Sequence, residues 1–391
     1  MPLDVIIVGG GIGGAVLANL LGRSRKSCIV LEREAHPLAI VRPEILWPAT
    51  VATLSGLLPA RELHGSALLP LHGLRFFLEG APVLRVMPAD LARARVQPYS
   101  TDPGRTRELL TEAGGFELRR GVEVTEVLRH GSRVVGVRAR DTVTGVATEL
   151  LADWTVGDDG AHSRVREACG IPIRLRTFPV DFLCFATDQP GASSHGLPTD
   201  VRLWLRREHG MLDMGMALFP LPRGRAVGLV PVRHDAFEDA PRLAARWRAF
   251  LESNAEAAEA AGGRRFPEDF VHIRRAWGHA RRYGGAGAAL LGDAAHPVSP
   301  AGGQGANMSV ADAVELADAL VRRPSNFLAE YEQRRRPANR RSMLFTRGAA
   351  AVLALPAALT GRLGPAVLQR LGRRTGGLRA ILRQASTAFQ G

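Results

Sequence analysis

Three short segments of this 391-residue chain carry residue types at spacings suited to holding a nucleotide. In Gly9-Gly10-Gly11-Ile12-Gly13-Gly14 the glycines fall as Gly-x-Gly-x-x-Gly. That spacing lets a backbone turn sharply, approach a pyrophosphate without a Cβ in the way, and pack the following helix on the preceding strand. Glu32 lies 18 residues past Gly14, where its carboxylate can accept hydrogen bonds from an adenosine ribose. Farther along, Asp159-Gly160 sits inside Trp154-Thr-Val-Gly-Asp-Asp-Gly-Ala-His-Ser-Arg-Val-Arg166. The third segment places Gly292-Asp293 before a Pro- and Gly-rich stretch that ends at Asn307. Asp293 is a candidate partner for a ribityl or ribose hydroxyl, and the 302–307 loop offers backbone N–H groups to negative charge at a helix start.

These residues need elements that point them at one place. Residues 3–8 form a β-branched apolar run of the kind buried on both faces of a parallel sheet. A helix is expected over Ala15–Leu21 and a second buried strand over Cys28–Leu31, ending at Glu32, which completes a βαβ unit. The Asp159 and Asp293 segments each follow a strand-like stretch, and the latter leads into a helix expected over Met308–Leu320. Leu74–Leu78, Val201–Leu205 and Gly228–Val232 read as strands of a second layer.

With its three segments in this order, the chain resembles the FAD-dependent monooxygenases of the para-hydroxybenzoate hydroxylase type, the class A flavoprotein monooxygenases. Tyr331-Glu-Gln-Arg-Arg-Arg-Pro337 is similar to the stretch that follows the third motif in that family. The resemblance implies an α/β fold, a Rossmann-like FAD-binding domain (GR2 type) with an interleaved β-rich substrate domain and a C-terminal helical tail. It divides the chain into a discontinuous FAD-binding domain (1–70, 98–175 and 276–345), a substrate domain (71–97 and 176–275) and a basic segment (346–391). It also implies roles. Gly9, Gly11, Gly13, Gly14 and Glu32 would hold the ADP half of FAD, Arg42 its phosphates, and a backbone group of Val124 the adenine. Asp159 would serve both FAD and NAD(P)H, Asp293 the pyrophosphate and ribose side, and Pro300, Gly303, Gly305 and Asn307 the isoalloxazine ring. The arginine expected near the start of the 105–113 helix is ambiguous between Arg105 and Arg107.

The activity so implied is hydroxylation or epoxidation of an apolar aromatic, isoprenoid or polyketide-like molecule. FAD, NADPH or NADH, and O2 would act through a flavin C4a-hydroperoxide, with no catalytic side chain and no metal. A geranylgeranyl-reductase-like flavin reductase or a non-catalytic FAD protein would share the same three segments. Met211, Met214, Met216, Phe219 and Leu221, with Phe76, Phe77 and Trp204, either line an apolar substrate pocket or are ordinary sheet packing. His296 and His162 could each bond near the cofactor or shape a turn, and for His296 the turn-shaping reading is preferred because Pro297 fixes that backbone.

Composition narrows the remaining classes. With 46% apolar and 23% charged residues the chain is globular rather than disordered. Three cysteines without metal or CxxC spacing exclude a disulfide framework and point to a reducing cytoplasm. The apolar strand from residue 3 leaves no room for a signal peptide, and the apolar run 348–360 is too short to span a bilayer. Residues 322–391 hold 14 arginines against Glu330 and Glu332, which accounts for nearly all of the net charge of +13. Leu378, Ile381 and Leu382 share a helix face flanked by arginine, so this tail either meets an anionic membrane surface or packs on the FAD domain. Nucleic-acid binding is not expected, because no aromatic residues interleave the arginines. The sequence leaves the oligomeric state open.

Overall fold

The structure is a computed structural model that describes residues 3–36, 42–178, 180–188, 199–208, 211–300, 302–322 and 326–354. Its first layer is built on five parallel strands in the order Ala288–Leu290, Ala147–Gly157, Leu3–Val8, Cys28–Glu32 and Glu117–Arg120. Parallel strands covered on both faces carry continuous apolar runs, and Val5, Ile6, Ile7, Ile29, Val30 and Leu31 are all buried. The hairpin Val122–His130 and Arg133–Asp141 pairs antiparallel on the long strand Ala147–Gly157. Helix Ile12–Arg23 packs beside helix Gly305–Arg322, and helix Phe327–Ala354 follows. The expected helices at 15–21 and 308–320 are therefore present and extend by a turn or less at either end.

The second layer is a seven-stranded sheet in the order Val271–Ile273, Val180–Asp188, Arg225–Arg233, Met211–Pro220, Asp200–Glu208, Gly73–Leu78 and Ala81–Val86. Two distant stretches of sequence meet here, because Gly73–Leu78 pairs parallel to Asp200–Glu208. Alternation along each strand separates two faces. On one, Leu183, Phe185, Trp204, Met214, Met216 and Leu218 are sealed by helices Ala240–Glu252 and Ala255–Ala261 through Trp247, Phe250 and Ala257. The sequence reading did not anticipate these helices. Asp239 starts the longer one by accepting from Arg242 N–H at 3.0 Å, and its buried Leu243, Trp247 and Phe250 recur at helical spacing. On the opposite face Phe182, Cys184, Ala217 and Leu229 are buried with Leu203, Phe219 and Ile273 against them.

This arrangement decides between the two readings of the methionines. Met214 and Met216 pack under Trp247 on the sealed face, while Phe77 stacks on Trp204 at 6.1 Å. They are sheet packing. Phe76 and Phe219 lie on the other face, and the side chain of Met211 is outside the described residues.

A three-stranded sheet of Glu44–Leu46, Tyr99–Thr101 and Leu68–Pro70 fills the space between the layers' edges. Among the described residues no helix is long and apolar enough to cross a membrane. The tail from 355 onward lies outside the described residues, so its amphipathic pattern has no structural counterpart here.

Candidate functional site

The glycine turn is shaped by close backbone approach. Gly9 has φ +103°, and a Cβ there would stand 2.3 Å from the Asp158 carbonyl oxygen, so only glycine fits between the two strand ends. A Cβ on Gly11 would meet Asp158 Oδ2 at 2.4 Å. No side chain caps helix Ile12–Arg23 at Gly11. Gly14 N–H donates to Asp158 Oδ2 at 2.8 Å and Gly9 N–H to Leu31 O at 2.9 Å, which leaves the N–H groups of Gly11, Ile12 and Gly13 at the helix start to meet an anion. Glu32 closes the far side, accepting from Gly10 N–H at 2.8 Å and Glu34 N–H at 3.0 Å.

In front of this turn lies a cleft of about 280 Å³. One wall is Gly11–Gly13, the floor includes Asp158 and Asp293, and the opposite wall runs through Val298, Ser299, Pro300 and Gly303–Ala306. Arg42, Glu44, Arg107 and Arg275 project into it. Of the residues expected from sequence, Gly11, Gly13, Arg42, Asp293, Pro300, Gly303 and Gly305 line it, while Gly9 and Gly14 form the turn behind it.

Three expected positions stand elsewhere. Asp159 is turned away from the cleft. Its Oδ2 accepts from Arg164 N–H at 2.7 Å and Val165 N–H at 3.3 Å, at the start of the short helix Arg164–Ala168. The cleft acid is its neighbour Asp158, whose N–H extends the parallel pairing by donating to Val8 O at 2.8 Å and so puts its side chain at the strand's carboxyl end. Asn307 is buried and acts as a brace. Its Nδ2 donates to Ile45 O at 2.8 Å and Gly303 O at 2.9 Å, and its Oδ1 accepts from Trp47 N–H at 3.0 Å. Val124 is buried in the main core opposite Ala139 and does not line the cleft.

Two of the cleft arginines are paired with carboxylates. Arg42 Nη2 lies 2.8 Å from Glu44 Oε1, and Arg275 Nη1 lies 2.9 Å from Asp293 Oδ2. Arg107 makes no hydrogen bond or ion pair with the described residues, and its Nε is buried. Burial pulls its pKa below the usual arginine value, opposed by Glu44, Asp158 and Glu32 at longer range. Arg105, the other candidate, points outward to Glu62, Glu108 and Glu112. Asp158 is crowded by protein, and desolvation drives its carboxyl well above the ordinary range against Gly14 N–H and Arg107.

Asp158 is the first residue past the strand Ala147–Gly157, and the sequence reading placed the site acid one residue later. Glu44 and Arg275 carried no such signal. His296 is buried and bonds to Asp312 rather than lining the cleft, as its turn-shaping reading expected, and His162 is exposed.

The face of the seven-stranded sheet opposite its helices comes near two of the cleft arginines at Cys184. Cys184, on that face, lies within electrostatic range of Arg42 and Arg275, although burial pushes its thiol up to about 12. The glycine-walled, arginine-bearing cleft suits a dinucleotide, while Phe182, Ala217, Leu229 and Phe219 of the sheet do not line it.

Comparison with known proteins agrees with this geometry. The sequence profile of the family described as FAD binding domain matches residues 2–346. The ubiquinone hydroxylase UbiL of Rhodospirillum rubrum is 28% identical over 94% of this chain and 86% of its own length. The 12-dehydrotetracycline 5-monooxygenase/anhydrotetracycline 6-monooxygenase of Streptomyces rimosus is 31% identical over 86% of this chain and 67% of its own. Among solved structures, PqsL, a probable FAD-dependent monooxygenase from Pseudomonas aeruginosa, superposes with a TM-score of 0.75 at 26% identity, covering 90% of this chain and 97% of PqsL.

Proposed function

The chain belongs to the FAD-binding-domain family of FAD-dependent monooxygenases, and from that premise we propose that it hydroxylates an apolar, polycyclic aromatic molecule of polyketide type, with FAD held in the glycine-walled cleft. The single observation that carries the placement of FAD is Arg107, a guanidinium that lines the cleft without a partner among the described residues. A desolvated cation of this kind calls for an anion, and a pyrophosphate or the electron-rich edge of a flavin supplies one.

The residues present fit the cofactor. The Gly9–Gly14 turn packs on the strand ends too closely for any Cβ, which sets the start of helix Ile12–Arg23 at the cleft for phosphate oxygens, and Glu32 stands where it can accept ribose hydroxyls. Arg107 and Arg42 supply positive charge, Asp293 an acceptor for hydroxyls, and the backbone of Gly303–Gly305 the wall along the ring. Gly13 and Pro300 keep that wall close, with Asn307 bracing it from behind. Val124 and Asp159 are not assigned a contact. When bound, FAD takes electrons from NAD(P)H and activates O2 so that one oxygen atom is transferred to the substrate. The protein's part is to orient the substrate against the ring and keep water out, which an apolar sheet face of Phe182, Ala217, Leu229 and Phe219 is suited to do.

On this reading 1–70, 98–175 and 276–345 act as the FAD-binding domain and 71–97 with 176–275 as the substrate domain. Peripheral membrane contact is a second reading. It is favoured by Arg340, Arg341 and Leu344, which stand exposed on helix Phe327–Ala354 just ahead of the arginine-rich segment. Sedimentation with anionic liposomes, strong for the full chain and absent after truncation at residue 354, is the expected result. Equal sedimentation of the two would remove the idea.

The test of the main proposal is oxygen incorporation. The FAD-loaded protein is supplied with NADPH or NADH, ¹⁸O₂ and a panel that includes anhydrotetracycline, a hydroxyanthraquinone and a prenylated quinone. One ¹⁸O atom gained by a tetracyclic or anthraquinone member, matched to reductant consumed, is expected. Oxygen gained only by the prenylated quinone would overturn the polyketide assignment.

A further inference from the structure

The turn that carries Asp293 hangs from one buried carboxylate. Asp312, on helix Gly305–Arg322, accepts through Oδ2 from Gly292 N–H at 3.1 Å, and His296 Nε2 lies 2.5 Å from the same oxygen. Both ends of the 292–296 turn therefore converge on a single atom. The other oxygen, Oδ1, accepts from Arg335 Nε at 2.8 Å and Asn339 Nδ2 at 3.0 Å, both on helix Phe327–Ala354. Arg335 Nη2 also donates to Asn339 Oδ1 at 2.8 Å, so the two donors hold each other in place. Asp312, His296, Arg335 and Asn339 are all at most 2% exposed.

None of these four side chains lines the cleft, yet the turn they hold does. Asp293 is its second residue, and Val298–Pro300 follow directly. Gly292 has φ +57°, and a Cβ there would lie 2.6 Å from Ser309 Oγ, so at its first residue the turn is held through the backbone N–H alone. A buried charge satisfied from four directions is expensive to desolvate, and apolar packing often stabilises a fold as well or better. What the carboxylate adds is direction, because it can be satisfied only when the turn and both helices stand in one arrangement.

We propose that Asp312 is a positioning residue for cofactor binding: with His296 and Arg335 it clamps the 292–296 turn so that Asp293 and the Val298–Pro300 wall stand ready for FAD. The inference rests on the reading of the cleft as the FAD site. It adds that the affinity of that site is set in part by a group that never touches the cofactor.

The test is a double-mutant cycle on FAD affinity, measured by titrating FAD into apoprotein and following flavin fluorescence. Asp293→Ala and Asp312→Asn are each expected to weaken binding about tenfold, while the double variant is no more than about twofold weaker than Asp293→Ala alone. Val137→Ala, which thins the same core far from the turn, should lower the thermal midpoint and leave FAD affinity within about twofold. Multiplicative losses in the double variant, or a loss in Val137→Ala equal to that in Asp312→Asn, would overturn the clamp and leave the cleft assignment standing. An unchanged affinity in Asp293→Ala would instead overturn the cleft assignment, and the clamp with it. Should Asp312→Asn not fold, His296→Leu against His296→Gln carries the same question. The glutamine amide keeps a donor and is expected to restore affinity to within about threefold, whereas equal losses in the two would refute the clamp.

Discussion

Two surfaces of the molecule do different work. Along Gly9–Gly14 the atoms left for recognition are the backbone N–H groups at the start of helix Ile12–Arg23, held against the strand ends by packing that no side chain would permit. Added Cβ atoms would stand 2.3 Å, 2.4 Å and 2.6 Å from their nearest neighbours at Gly9, Gly11 and Gly14. On the seven-stranded sheet, the face opposite its helices carries Phe182, Ala217, Leu229 and Phe219, and there the surface consists of side chains. The backbone wall cannot be altered by degrees, since any side chain at those glycines collides. The sheet face can be reshaped one residue at a time while its other face, sealed by Trp247 and Phe250, keeps the layer folded. A fixed cofactor therefore suits the first surface and a variable substrate the second.

The largest expected effect comes from breaking the backbone wall. Gly14→Val places its Cβ 2.6 Å from Gly9 O and 3.0 Å from Asp158 Oδ2, and should lower FAD affinity by at least about 100-fold. The purified variant should be colourless, with flavin absorbance per chain as the measurement. A variant as yellow as wild type would mean that the turn does not face the cofactor.

The comparison between the two faces of the sheet is sharpened by a pair of truncations. Met216→Ala, on the sealed face, should cost about 2–5 kcal/mol of stability and leave the KM for any turned-over substrate unchanged. Phe219→Ala, on the face opposite the helices, should change that KM by about three- to tenfold with a smaller loss of thermal midpoint. The opposite pattern would mean that the faces have been assigned the wrong way round.

A smaller effect concerns the outer part of the substrate layer. Asp181, 2% exposed, gathers His234 Nδ1 at 3.1 Å, His272 Nε2 at 3.0 Å and Arg274 Nε at 3.3 Å on its Oδ2. Desolvation alone would raise its pKa, but these partners outweigh it and hold the carboxyl below its usual value. The folded state therefore binds this proton less readily than the unfolded chain. The stability from Asp181 is present above an unfolded pKa of about 3.9 and is lost as pH falls below it. Thermal midpoints followed from pH 6 to pH 3 should fall more steeply for wild type than for Asp181→Asn. Parallel curves would remove Asp181 from the acid response.

The same contrast explains what could be read from the chain. The Gly9–Gly14 turn, the strand Cys28–Glu32 that delivers Glu32, and the Gly292–Asp293 turn were legible because local spacing dictates backbone geometry. So were the helices they lead into. Asp158 was overlooked in favour of Asp159 because two adjacent acids differ only in which way the chain leaves the strand, and that is set by pairing with Val8 rather than by sequence. Arg105 and Arg107 differ by about 200° around a helix, so one faces the cleft and the other solvent, but spacing alone did not orient the helix. Arg275 reaches Asp293 from the end of the substrate sheet, a contact that only the tertiary arrangement creates. In the sheet itself, the sequence reading grouped Met214, Met216 and Phe219 together, although period-two alternation sets the two methionines on the face opposite Phe219. It could not say which face the unanticipated helix Ala240–Glu252 would cover.

The central claim, that this cleft holds FAD through a backbone wall and one unpaired guanidinium, is tested most directly by titrating FAD into apoprotein of wild type, Arg107→Met and Arg105→Met. Wild type should bind one FAD per chain, Arg107→Met about ten- to 100-fold more weakly, and Arg105→Met within about twofold of wild type. An unchanged affinity in Arg107→Met, or an equal loss in Arg105→Met, would contradict the claim.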